Sequence, residues 1–113
     1  MATMKAQQQD FPFPGVPGTG DGSDAISYVE TRVTDAAAAY PITSSTIMGQ
    51  LYQAAVANGF ENVWGVTIGW MELESEHSSA SACEGFALAG GRVTNFTSGQ
   101  GLILMKEVLY TIS

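Results

Sequence analysis

Between Ser75 and Gly90 the chain has almost no side-chain bulk, because Ser78, Ser79, Ala80, Ser81, Ala82, Cys83, Gly85, Ala87 and Ala89 follow one another closely. The composition predicts a helix over Ser75 to Ala89, stopped by Gly90-Gly91. A helix without bulk must lie very close to its neighbour to bury anything. The fold therefore has to bring a second layer tightly against it.

The flanking sequence supplies that layer. Ser23 or Asp24 is expected to cap a helix running to about Ala37, with Ile26, Val29, Val33 and Ala37 at helical spacing. Ala38 to Ile42 reads as a short buried strand. Thr43, Ser44 or Ser45 then caps a second helix, through Ile47, Met48, Leu51, Ala54, Ala55 and Val56, which stops at Asn58-Gly59. Asn62 to Ile68 is β-branched and aromatic enough for a second strand, ending near Met71, and Arg92 to Phe96 for a third. Thr97-Ser98-Gly99-Gln100-Gly101 is a tight turn into a final helix from about Leu102. Such alternation predicts an α/β fold, a parallel sheet with flanking helices, whose ligands sit at the carboxyl ends of the strands.

Residues 1–21 read as an irregular lead-in, since Phe11 to Asp24 holds three of the four prolines. Residues 22–113 read as the domain. Leu102, Met105, Leu109 and Ile112 carry a helical apolar stripe up to Ser113, so the domain is expected to be the first part of a larger one, incomplete at its C-terminus. Gly18-Thr19-Gly20-Asp21-Gly22 follows no strand and fails the dinucleotide spacing, which leaves it as linker.

Eleven acidic residues against four basic ones give a net charge of -7, which argues against nucleic acid or an anionic membrane surface as partner. A single cysteine, Cys83, makes no internal disulfide and cannot alone hold a zinc or an iron–sulfur cluster. It has no basic neighbour to make it a thiolate. The polar N-terminus lacks a signal-peptide core, and no apolar run reaches the roughly 20 residues of a membrane span. A cytoplasmic protein is expected. His77, the only histidine, is given no role, and Trp64, Trp70, Phe86 and Phe96 are assigned to the core.

Chemistry concentrates in Met71-Glu72-Leu73-Glu74-Ser75-Glu76. At helical spacing Glu72 and Glu76 share a face, and an acidic helix N-terminus is by itself a favourable, solvated arrangement. The small residues that follow Glu76 change the picture. A carboxylate at the buried end of such a helix loses solvation and is placed to hydrogen-bond a ring nitrogen. Tight helix packing without a ligand is the alternative.

Three segments, Tyr40-Pro41-Ile42-Thr43-Ser44-Ser45, Glu72-Leu73-Glu74-Ser75-Glu76 and Phe96-Thr97-Ser98-Gly99-Gln100-Gly101-Leu102-Ile103-Leu104-Met105, together resemble the N-terminal domain of pyruvate:ferredoxin (flavodoxin) oxidoreductases in order and spacing. The likeness runs from about Asp21 to Ser113. It implies the pyrimidine-binding domain of a thiamine diphosphate enzyme, which alone should not catalyse. Glu76 resembles the family glutamate that hydrogen-bonds the aminopyrimidine ring and favours its imino tautomer, so it is the expected catalytic and cofactor-binding residue. Thr43 resembles the threonine that contacts the 2-oxo acid.

The resemblance further implies that the diphosphate and its Mg2+ are held by a domain outside this chain, and the iron–sulfur clusters elsewhere in the enzyme. Coenzyme A, ferredoxin or flavodoxin, the remaining domains or subunits and a homo-oligomer are the implied partners. Ser44 stands where the family commonly has proline, Ser98-Gly99 where it has alanine-serine, and His77 where it has a small residue. Neither Arg32 nor Arg92 matches the family arginine for the substrate carboxylate. Two alternatives remain open here: a relative acting on another 2-oxo acid such as 2-oxoglutarate, and a catalytically idle interaction domain.

Overall fold

The structure, a computed structural model, describes residues 12–41 and 46–113. Its elements are α1 (Gly22–Val33), β1 (Ala36–Ala39), α2 (Thr46–Ala57), β2 (Gly69–Glu72), α3 (Glu76–Leu88), β3 (Val93–Phe96), α4 (Gly99–Leu104) and α5 (Lys106–Ile112). The three strands form one parallel sheet in the order β2-β1-β3. This is the parallel α/β architecture expected from the alternation. The crossovers β1–α2–β2 and β2–α3–β3 run in opposite directions along the sheet, and right-handed crossovers then place α2 and α3 on opposite faces.

β1 is four alanines, all buried. Alanine has little intrinsic preference for strand, and it is here because both faces of the central strand are covered closely. On one face Ala37 and Ala39 meet Tyr52 of α2, Ile68 and Phe96, with Trp70 and Met48 packed around them. Tyr52 is fully buried and its ring lies 6.1 Å from Trp70 and 5.8 Å from Phe96, centroid to centroid. Thr34 gives its hydroxyl proton to Glu30 O at 2.6 Å, so Tyr52 is the donor in the 2.8 Å bond between the two hydroxyls. On the other face α3 lies on β1 and β3. Ser79, fully buried on α3, accepts from the side-chain amide of Asn95, whose register partner is Ala38. Ala80 joins Met105 and Val108 in a second cluster beneath α5.

Several boundaries differ from the sequence reading, each for a physical reason. Helix α1 starts one turn earlier than Ser23 or Asp24 would cap it. Asp21 is the N-cap, in a capping box in which it accepts from Asp24 N at 2.9 Å while Asp24 accepts from Asp21 N at 3.0 Å. It also stops at Val33 rather than Ala37, because Thr34 folds back onto Glu30 and the next residues are drawn into the sheet. The strand is accordingly Ala36–Ala39, not Ala38 to Ile42. The expected caps Thr43, Ser44 and Ser45 lie outside the described residues.

Asn62 to Ile68 is not a strand but a tight loop built on Asn62. Its Oδ1 accepts from Trp64 N and Val66 N, both at 3.0 Å, while its amide donates to Thr34 O and Asp35 Oδ1. Gly65, at φ 77°, makes the reversal, and Val63, Trp64 and Val66 are left exposed. Trp64 is therefore not core. It is the platform on which the Arg92 guanidinium lies, 3.5 Å from the ring centroid. Phe86 is only half-buried, whereas Phe96 is core. The second strand comes later, at Gly69–Glu72.

The final helix is two short ones. Ser98 caps α4 by accepting from Gly101 N at 3.1 Å, and the chain bends at Met105. Of the predicted stripe Met105 alone is buried, with Val108 beside it, while Leu102, Leu109 and Ile112 are half-exposed.

At the amino ends of the strands, Asp35 ties β1 to β3. Its carboxyl is held below the usual carboxylate range by the Arg92 backbone N–H, which donates at 2.9 Å, with the Asn62 amide and the Arg92 charge adding to this against desolvation. The cluster is structural and lies at the end opposite the loops that follow the strands.

Candidate functional site

All three strands run in parallel, so the segments that leave their carboxyl ends gather at one edge of the sheet. These are Tyr40-Pro41 after β1, Leu73-Glu74-Ser75 after β2, and Thr97-Ser98 after β3.

Glu76 is the first residue of α3 and is only 6% exposed. Ser75 caps the helix by accepting from Ser78 N at 3.0 Å, which fixes where α3 begins and turns Glu76 inward. The carboxylate thus stands at the positive end of a thirteen-residue helix. Among the described residues no hydrogen bond or ion pair reaches it. The residue is buried, but its carboxylate oxygens are not among the enclosed atoms that lack a partner, so they keep contact with solvent at the strand ends.

Glu72 does not share this environment. It ends β2, is exposed, and points to the α2 side of the sheet, so the pair does not lie on one helix face. Glu72 instead lines a cleft of about 200 Å³ with Ala39, Tyr40, Pro41, Gly49, Gln53 and Trp70. Gly49 packs closely there, since a Cβ would come to 3.1 Å of the Trp70 ring. Thr43 lies outside the described residues; Pro41, two positions before it, and Thr46, three after it, both border this cleft.

Beside Glu76 the turn after β3 comes close. Gly101 is buried, and a Cβ on it would collide with Thr97 Oγ1 and come to 3.0 Å of Glu76 Cγ. The Thr97 hydroxyl oxygen is itself buried without a hydrogen-bond partner. The composition of the turn gave no sign of this, because Thr97 reads there as an ordinary turn residue. The site so far consists of the Glu76 carboxylate, which no protein donor reaches, and the enclosed, unpartnered Thr97 hydroxyl, packed closely against the backbone of Gly101.

His77 is half-exposed and 3.9 Å from Glu107 on α5, away from the buried carboxylate. Burial pushes the Cys83 thiol up, with the Asn95 amide only partly offsetting it, so Cys83 stays a neutral thiol against β3. Among the described residues no three His, Cys, Asp or Glu side chains are grouped to hold a metal ion, and no helix is long and apolar enough to cross a membrane.

Residues 28–113 match the family model described as pyruvate flavodoxin/ferredoxin oxidoreductase, thiamine diphosphate-binding. The chain belongs to this family. Among its relatives are the pyruvate-flavodoxin oxidoreductase of Enterobacter agglomerans, 41% identical over 101 residues, 89% of this chain and 9% of the relative. The pyruvate dehydrogenase [NADP(+)], mitochondrial, of Euglena gracilis is 41% identical over 93 residues, 82% of this chain and 5% of the relative. The pyruvate:ferredoxin oxidoreductase of Moorella thermoacetica is 37% identical over 95 residues, 84% of this chain and 8% of the relative. The chain thus spans less than a tenth of the length of these proteins. The parallel sheet with flanking helices is consistent with a thiamine diphosphate pyrimidine-binding fold.

The residues at the strand ends fit such a cofactor on their own chemistry. The Glu76 carboxylate has no protein partner and its oxygens are open at the strand ends, so it can bond one nitrogen of a flat heterocycle, while Gly101 leaves the room that the Thr97 hydroxyl occupies.

Proposed function

We propose that this chain is the pyrimidine-binding part of a coenzyme A-dependent pyruvate:ferredoxin or flavodoxin oxidoreductase. The single observation that supports it most is Glu76, a buried residue whose carboxylate meets no protein donor, at a helix N-terminus in a chain of this family. Glu76 holds the aminopyrimidine ring by a hydrogen bond to a ring nitrogen and moves a proton at that atom. Bound thiamine diphosphate supplies the electron sink for loss of carbon dioxide from the 2-oxo acid. The small residues of α3 let the helix lie close on the alanine strand, which holds Glu76 at the carboxyl ends of the strands. Thr43 contacts the 2-oxo acid from the loop after β1, beside the cleft of Tyr40 and Trp70.

Mg2+, the diphosphate and the iron–sulfur clusters are held outside these residues, and the enzyme works in the cytoplasm as a homo-oligomer. A related reading, with 2-oxoglutarate as substrate, has no specific observation in its favour; pyruvate stands in the names of several relatives. The test is turnover by the full-length protein that carries this chain, with coenzyme A and flavodoxin or ferredoxin, in the absence of oxygen. Pyruvate is expected to exceed 2-oxoglutarate in kcat/KM by about 100-fold, a discrimination in reach of a site that senses an additional charged group. Equal or reversed preference, or no turnover with any 2-oxo acid, would sink the proposal.

A further inference from the structure

Glu76 and Thr97 belong to different loops, yet they face the same small space. Thr97 Oγ1 and Glu76 Cγ both approach the position a Gly101 Cβ would take, the first in collision with it and the second 3.0 Å away. Ser98 Oγ, 3.5 Å from that position, is already engaged with Gly101 N. The carboxylate begins one bond beyond Glu76 Cγ, and the Thr97 hydroxyl swings about a single torsion. The Thr97 hydroxyl is enclosed and lacks an acceptor for its proton, and the Glu76 carboxylate, an acceptor open to solvent, receives no protein donor among the described residues.

We propose that Thr97 is a positioning residue for Glu76, its hydroxyl donating to one carboxylate oxygen so that the other is aimed at the cofactor ring. The inference rests on the cofactor role of Glu76 set out above. A bond from a neutral hydroxyl to a carboxylate is charge-assisted and short, strong enough to select one rotamer of a side chain that has three torsions. Gly101 is part of the device, since a methyl group there would collide with the Thr97 hydroxyl and displace it.

The test uses the full-length enzyme, with calorimetric titration of the apo form by thiamine diphosphate alongside steady-state kinetics. Thr97→Val, which keeps shape and removes the donor, is expected to weaken thiamine diphosphate binding about tenfold and lower kcat by a similar factor. The pyruvate KM should hardly move. Thr97→Ser should restore both values, and the double variant with Glu76→Gln should lose no more than Glu76→Gln alone. Wild-type affinity and kcat in Thr97→Val, or losses that multiply in the double variant, would overturn the proposal. Should Thr97→Val not assemble, equal cofactor affinity in Thr97→Ser and Thr97→Ala overturns it instead. If Glu76→Gln itself binds and turns over normally, the role of Glu76 and that of Thr97 fail together; a loss in Glu76→Gln without one in Thr97→Val removes Thr97 alone.

Discussion

Glu76→Gln in the full-length oxidoreductase is expected to reduce turnover with pyruvate by a factor of about 10²–10⁴, the range seen when a positioned acid–base group is removed. Glutamine is nearly isosteric, so the packing of Glu76 against Gly101 is retained and the substitution asks only about chemistry. The amide still offers a carbonyl oxygen as acceptor, but it can neither carry the charge nor exchange the proton that a carboxyl group exchanges with a ring nitrogen. The loss should therefore be larger in kcat than in pyruvate KM. Steady-state kinetics check this, and unchanged turnover would favour the interaction-domain reading.

Tyr52→Ala should have the largest structural effect, because it removes the only large side chain that is fully buried among the described residues. Tyr52 bridges the two sides of the core through Trp70, Phe96 and the hydroxyl of Thr34. Aromatic-to-alanine changes in a core cost about 3–5 kcal/mol, and this one also leaves Thr34 without its donor. The appropriate readout is local, hydrogen exchange of the β1 amides. Protection of Ala37 to Ala39 is expected to fall by about 100-fold or more. Tyr52→Phe should retain most of it, losing about 1 kcal/mol with the hydrogen bond.

How far the sequence could be read depended on which signal each segment carried. Helix α3 was legible because Ser75 caps it and Gly90 stops it, and β3 because β-branched and aromatic residues precede a turn. β1 was misplaced by two residues since a run of alanines is indistinguishable from a helix end; only the sheet partners on both sides make it a strand. Asn62 to Ile68 misled in the opposite sense. Its valines and tryptophan suggest a strand, but one asparagine with four hydrogen bonds curls the segment into a loop.

The site divides in the same way. The burial of Glu76 followed from the small residues behind it, a pattern visible in one dimension. The separation of Glu72 from it did not, because four residues apart means one helix face only where the helix includes both, and here the strand ends at Glu72 and the helix starts at Glu76. The approach of Thr97 and Gly101 is a contact between loops after different strands. Nothing in the local sequence encodes it except the glycine that makes room.

The account stands or falls on one distance, that between the Glu76 carboxylate and the nearest ring nitrogen of thiamine diphosphate in a crystal structure of the full-length holoenzyme. It predicts about 2.6–2.9 Å, a charge-assisted hydrogen bond, with no water between them. A Glu76 side chain more than about 4 Å from the cofactor, or one turned into a contact between domains, would contradict it.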